Sequence, residues 1–128
     1  MTRRVSVCFL SLVSVLVLFA SNGWAFEIEI DVSPNVLNIA SKGKVVTVHT
    51  DIGYSDVEVS SIYMNGIYIQ SYKADDRGFF VAKFSMDEIK KLPLDIDEYN
   101  TLTLVGLTKD GESFWGEQEI KVVNNGSK

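Results

Sequence analysis

Two runs of alternating apolar and polar residues flank an Asp-Gly near the C-terminus, the clearest pattern in the chain. Thr101–Thr108 reads Thr-Leu-Thr-Leu-Val-Gly-Leu-Thr, Lys109-Asp110-Gly111 follows, and Glu112–Val123 returns. Such alternation marks half-buried strands, and Asp-Gly marks the turn between them. Register selects the loop length. A two-residue Asp110-Gly111 turn would set Leu104 opposite Glu117 and Leu102 opposite Glu119. A three-residue loop, Lys109-Asp110-Gly111, groups Leu102, Leu104 and Gly106 with Phe114, Gly116 and Ile120. It groups Thr101, Thr103 and Val105 with Trp115, Glu117 and Glu119 on the other face. A slip of one residue exchanges the faces, so the clean partition predicts the longer loop, with Gly111 left-handed. Gly106 then lies opposite Phe114, whose ring covers the bare backbone, and Trp115 faces outward.

The same test applies to Asn65-Gly66. A two-residue type I′ turn pairs Met64 with Ile67 and Ile62 with Ile69 on one face. Tyr63 with Tyr68 and Ser61 with Gln70 share the other, and Tyr72 follows on that tyrosine face. Phe26–Val32 alternates strictly, with Phe26, Ile28, Ile30 and Val32 opposed to Glu27, Glu29 and Asp31. Further strands are predicted over Val36–Ile39, Val45–Thr50, Val57–Met64 and Phe79–Phe84. Ser85-Met-Asp-Glu88 is a capping box, so one short helix is expected near Ser85–Leu92, ended by Pro93. About seven short strands with turns between them predict an all-β, antiparallel two-sheet sandwich, with a small barrel as the alternative.

The first 25 residues stand apart. Arg3 and Arg4 precede an apolar run from Val5 to Ala20, and Gly23-Trp24-Ala25 supplies small residues at the end. This is the pattern of a secretory signal cleaved after Ala25. An uncleaved anchor is the alternative, although the run is short against the roughly 20 residues a membrane helix needs. The expected division is 1–25 signal peptide, 26–123 sandwich and 124–128 disordered polar tail. Cys8 is the one cysteine and leaves with the signal, so disulfides and thiolate chemistry are excluded. Without Arg3 and Arg4, 10 of the 12 basic residues remain against 17 acidic ones, a net charge of −7. An acidic domain is poorly suited to nucleic acid, and no membrane insertion is expected after signal cleavage. A secreted or periplasmic location follows from the signal.

Several landmarks carry a likeness. They are Asp31, Pro34, Leu37-Asn38, Ser41-Lys42-Gly43, Val45-Val46-Thr47-Val48, Gly53-Tyr54 and Ile62 through Asn65-Gly66. Ala82-Lys83-Phe84, the capping box and the closing hairpin with Phe114 and Gly116 complete the series. In this order the chain resembles an immunoglobulin-like β-sandwich module of secreted and cell-surface proteins of bacteria and archaea. The likeness spans roughly residues 26–123 and implies a module with no activity of its own. Such modules often carry an Asp-x-Asp-x-Asp-Gly-x-x-Asp loop that resembles a calcium site. Here only Asp75 and Asp76 remain, followed by Arg77, and calcium needs six to eight oxygens. Asp75 and Asp76 are therefore weak metal candidates, and the simpler account is a polar turn. Asp95, Asp97 and Glu98 likewise lack calcium-loop spacing.

No catalytic constellation is evident. His49, the one histidine, is expected as a lone surface residue without the partners that acid–base work needs. No cofactor is implied and no enzyme is expected. The candidate binding residues are aromatic: Tyr63, Tyr68 and Tyr72 on one hairpin and Trp115 on another. Rings on a rigid sheet can anchor a protein or stack on a glycan. They can equally serve the hairpin itself, where a cross-strand pair contributes roughly 0.2–1 kcal/mol. The expected function is a non-catalytic binding or assembly module of the cell envelope, its protein or glycan partner unidentified. Alternatives are a structural or inhibitory subunit of an extracellular complex, whose first strand could be donated to a neighbour, and a weak calcium-dependent adhesion module. N-terminal sequencing of the protein released by producing cells is expected to begin Phe26-Glu27-Ile28. A start at Met1 would identify the run as a retained anchor.

Overall fold

A computed structural model describes residues 25–125. The expected signal segment up to Trp24, including Cys8, lies outside the described residues, as do the last three residues of the expected tail. The strands are β1 (Phe26–Glu27), β2 (Ile30–Ser33), β3 (Val36–Asn38), β4 (Val45–Gly53), β5 (Val57–Met64) and β6 (Ile67–Tyr68). They continue as β7 (Ser71–Ala74), β8 (Phe79–Ser85), β9 (Glu98–Thr108) and β10 (Ser113–Val123). A 3-10 turn, Tyr54–Asp56, follows β4, and one short helix, α1 (Met86–Lys90), follows β8.

These strands form two sheets, so the fold is an all-β sandwich. The larger sheet runs β1-β10-β9-β5-β6, with β3 also on β10, and the smaller runs β2-β4-β8-β7. Every pairing is antiparallel except those of β1 and β3, which lie parallel to β10. Leu102, Leu104, Phe114, Ile120 and Val122 point inward from the larger sheet. Val46, Val48, Phe80, Ala82 and Phe84 meet them from the smaller one.

The β9–β10 hairpin takes the expected register. Phe114 pairs with Gly106, Trp115 with Val105 and Gly116 with Leu104. Gly111 is left-handed at φ 87, and the Thr108 and Glu112 backbones close the loop at 2.8 Å. Burying a large apolar side chain contributes roughly 1.5–3 kcal/mol. One ladder hydrogen bond contributes about 0.5–1.5 kcal/mol. The inward set therefore outweighs any single bond lost in choosing the register. Asn65 and Gly66 are both left-handed, as a type I′ turn requires. Ser85 Oγ accepts from the Glu88 amide and caps α1, whose Met86 and Ile89 plug one end of the core.

Two expected strands are each divided between the sheets. The alternating Phe26–Val32 run becomes β1 and β2. The Ile28 amide donates to the Trp115 carbonyl in the larger sheet at 2.8 Å. The next residue, Glu29, exchanges hydrogen bonds with Asp51 of β4 in the smaller sheet. Its alternation survives in burial, with Ile28 and Val32 inside, but the chain crosses from one layer to the other. The crossing holds the first strand at both ends within its own molecule. The expected Ile67–Tyr72 strand divides in the same way. Ile69 turns into the core, and the Gln70 amide donates to Lys83 of β8 at 2.8 Å. Ser61 therefore has no Gln70 partner in the larger sheet.

Two glycines make the interior fit. A Cβ on Gly106 would strike the Ile62 methyl and stand 2.7 Å from the Phe114 ring. A Cβ on Gly116 would stand 2.8 Å from the Ile28 carbonyl, at the point where the first strand crosses. At Gly106 the obstacles are the ends of two side chains, Ile62 and Phe114, whereas at Gly116 the nearest is the Ile28 backbone carbonyl, which shifts less readily. Gly106→Ala is expected to cost about 1–3 kcal/mol. Gly116→Ala is expected to cost more, with both read from urea unfolding midpoints. Equal stability to the parent in Gly116→Ala would contradict the crossing geometry.

Candidate aromatic face and polar turns

The outward row of the larger sheet assembles from four pairings. Glu27 pairs with Trp115, Trp115 with Val105, Val105 with Tyr63, and Tyr63 with Tyr68. One line of side chains therefore crosses β1, β10, β9, β5 and β6. Tyr63, Tyr68 and Val105 are 42%, 50% and 41% exposed, and Trp115 is half-buried. The tyrosine rings meet edge-on, 5.3 Å apart at 60°. Leu107 stands one step along β9, 40% exposed, and widens the apolar area.

A bulge shapes this face. Val57 and Glu58 pair with Thr108 and Leu107, and pairing resumes only at Tyr63 with Val105. The extra residues of β5 arch over Gly106. Ser61 closes the arch: its Oγ accepts from the Leu107 amide at 2.8 Å and donates to the Glu58 carbonyl at 2.6 Å. Asn65 anchors the other end. Its Oδ1 accepts from the Thr103 amide at 2.7 Å, and its Nδ2 donates to the Thr101 carbonyl. The turn side chain thus prolongs the ladder that holds Tyr63 and Tyr68 beside β9. Between the bulge and β10 lies an open groove of about 350 Å³, lined by Ser61, Val105, Leu107, Ser113 and Trp115 together with Ala25, the residue before the expected cleavage point.

Tyr72 does not belong to this face, a correction to the expected three-tyrosine surface. It lies on β7, paired with Ala82 in the smaller sheet. Its ring sits 6.4 Å from Tyr54, which in turn stacks on Phe80 at 6.3 Å. The cause is the sheet switch at Ile69 and Gln70. Of the four aromatic candidates, Tyr63, Tyr68 and Trp115 share one row, and Tyr72 stands in the other sheet. Nothing in the sequence marks Val105 and Leu107 as binding residues, although the hairpin register sets Val105 beside Trp115. Their signal is an apolar residue at an outward strand position, which is common enough to pass unmarked.

Asp75 and Asp76 form the β7–β8 turn. Asp75 Oδ1 accepts the amides of Arg77 and Phe79, at 2.8 and 2.9 Å. Gly78 is left-handed at φ 86, and the Arg77 guanidinium lies 5.2 Å over the Phe79 ring. This is a self-contained Asx turn. His49 is exposed on β4, opposite Asp31, in a hollow it shares with Glu29, Asp51, Asp75 and Arg77. Among the described residues, no three His, Cys, Asp or Glu side chains are placed to hold a metal ion. No family model, curated protein or solved structure matches this chain.

The Asp75 carboxyl is held below its ordinary value of 3.8, first by the Phe79 amide; desolvation opposes this as the next largest effect, and the Arg77 amide and the Arg77 and His49 charges lower it further. A carboxyl lowered in the folded state adds stability above its unfolded value, and that stability is lost as pH falls through the folded value. Thermal melts between about pH 6 and pH 2 are expected to show this loss in the parent. In Asp75→Asn the contribution is absent at neutral pH and its acid step disappears. An unchanged acid limb in the variant would remove the turn from the acid response.

Proposed function

We propose that this chain is a secreted, non-catalytic binding module of immunoglobulin-like topology, and that the outer face of its larger sheet binds a protein partner. The strand order supports the topology. β2-β4-β8-β7 corresponds to the four-stranded sheet of such sandwiches, and β5, β9 and β10 to the facing sheet, with β6 as an added edge. A single cysteine rules out the inter-sheet disulfide of antibody domains within one chain. Phe80, Phe84 and Phe114 fill that interior instead.

The observation that carries the binding reading is the continuous row Trp115-Val105-Tyr63-Tyr68, with Leu107 beside it. Aromatic residues at the centre of a flat, rigid surface are typical interface anchors. A protein partner is favoured over a glycan by ring geometry. A sugar platform offers ring faces in one plane, whereas Tyr63 and Tyr68 meet at 60°. The apolar Val105 and Leu107 also suit a protein side chain better than a hydroxylated ring. The assembly alternative, by donation of the first strand, loses support because β1 and β2 are already paired within the chain.

Capture from envelope and culture-medium extracts tests the reading, using the full chain as released by producing cells. Tyr63→Ser/Tyr68→Ser is expected to lose the partner, with affinity falling about thirtyfold or more, as for interface anchors. Tyr72→Ser, on the opposite sheet, is expected to retain it. Retention by the double variant, with its fold confirmed by circular dichroism, would move the site off this face.

A further inference from the structure

We infer that the partner of this face is a protein surface that seats one apolar side chain in the groove beside Trp115 and flanks it with lysine or arginine. This rests on the binding reading above. The groove of about 350 Å³ beside Trp115 is an open depression with a mainly apolar lining, which suits one large apolar side chain laid against it. Its walls are Val105, Leu107 and Trp115, with the Ser61 hydroxyl at one side; Ala25 also lines it, and cleavage after Ala25 leaves the walls from β9, β10 and Ser61 in place. That hydroxyl is already engaged with the Leu107 amide and the Glu58 carbonyl, so the groove asks for hydrocarbon more than for hydrogen bonds.

The border of the groove is acidic. Glu27 ends the row beside Trp115. Glu58 lies opposite Leu107. Glu117 stands one step beyond Trp115 on β10, opposite Thr103. All three are exposed. The nearest cation along β10 is Lys121, at the far end of the strand and held over the Tyr99 ring at 5.3 Å. Among the described residues, Lys109 is the cation at the hairpin end, in the turn near Glu58. An apolar centre with a charged rim is the usual anatomy of a protein interface. The rim sets which partner approaches, because opposite potentials attract and like charges repel. A second copy of this chain would bring the same carboxylates to the same border, so a basic heterologous partner fits better.

The full chain as released by cells, isotope-labelled for NMR, is titrated with two acetylated peptides. One alternates Lys and Val around a central Phe, and the other has Glu in place of Lys. The Lys peptide is expected to shift the Val105 and Leu107 amides and the Trp115 indole. Its affinity should fall about tenfold or more between roughly 50 and 500 mM salt, as charge screening requires. Glu27→Lys/Glu58→Lys/Glu117→Lys should weaken it by a similar factor and acquire binding to the Glu peptide. These three residues are exposed, and a thermal melt verifies that the variant is folded. Equal response to both peptides, shifts mapping to another surface, or no response to either would overturn the partner chemistry. A dimer in sedimentation that Trp115→Ala dissolves would assign the groove to a second copy and overturn it as well. If the Lys peptide is inert while Tyr63→Ser/Tyr68→Ser still loses the captured partner, only this inference fails. If that variant keeps its partner, the binding reading of the face fails with it.

Discussion

The register of the β9–β10 hairpin is the constraint on which the rest of the molecule depends. It sets Leu102, Leu104, Phe114 and Ile120 inward, and the same decision sets Val105, Leu107 and Trp115 outward. Core and candidate site are therefore two sides of one alignment. A slip of one residue would turn leucines to water and carboxylates into the interior. The three-residue loop with a left-handed Gly111 makes the favourable alignment geometrically accessible.

Closing the sandwich needs the chain to pass between its layers, and it does so where side chains allow. The first strand crosses at Ile28 and Glu29, where Gly116 leaves space for the Ile28 carbonyl. The chain crosses again after Ile69, whose side chain joins the core as the backbone changes sheets. The backbone groups freed by the first crossing find partners: Asp51 receives the Glu29 amide, and Gln118 Oε1 receives the Val32 amide at 2.9 Å. Buried amides without such partners would be costly. These side-chain acceptors let a short strand change sheets without leaving its polar groups bare.

The outer face of the larger sheet is shaped by irregularity as much as by pattern. The β5 bulge, closed by Ser61, and the Asn65 turn, bonded to β9, set the height and tilt of the tyrosine pair. A regular β5 would place Tyr63 in a different step of the ladder and would leave no groove over Val105 and Leu107. By contrast, the acidic turn at Asp75 uses its carboxylate on its own backbone. Acidic residues are plentiful in this chain, and here they serve the turn itself.

Much was legible without coordinates. Local rules decide two-residue and three-residue turns, the helix cap at Ser85 and the inward and outward halves of a paired hairpin, because they involve neighbours in sequence. Those rules gave the two-sheet β architecture, the outward Trp115 and the Tyr63–Tyr68 pair. They failed at Phe26–Val32 and at Ile67–Tyr72, where one alternating run serves two sheets. Alternation records which side chains are buried and is the same whether a strand continues or crosses, since both layers bury toward a shared core. Only tertiary structure decides which sheet receives the hydrogen bonds. That choice removed Tyr72 from the tyrosine face and brought Glu27, Trp115, Val105, Tyr63 and Tyr68 into one row from residues more than eighty positions apart.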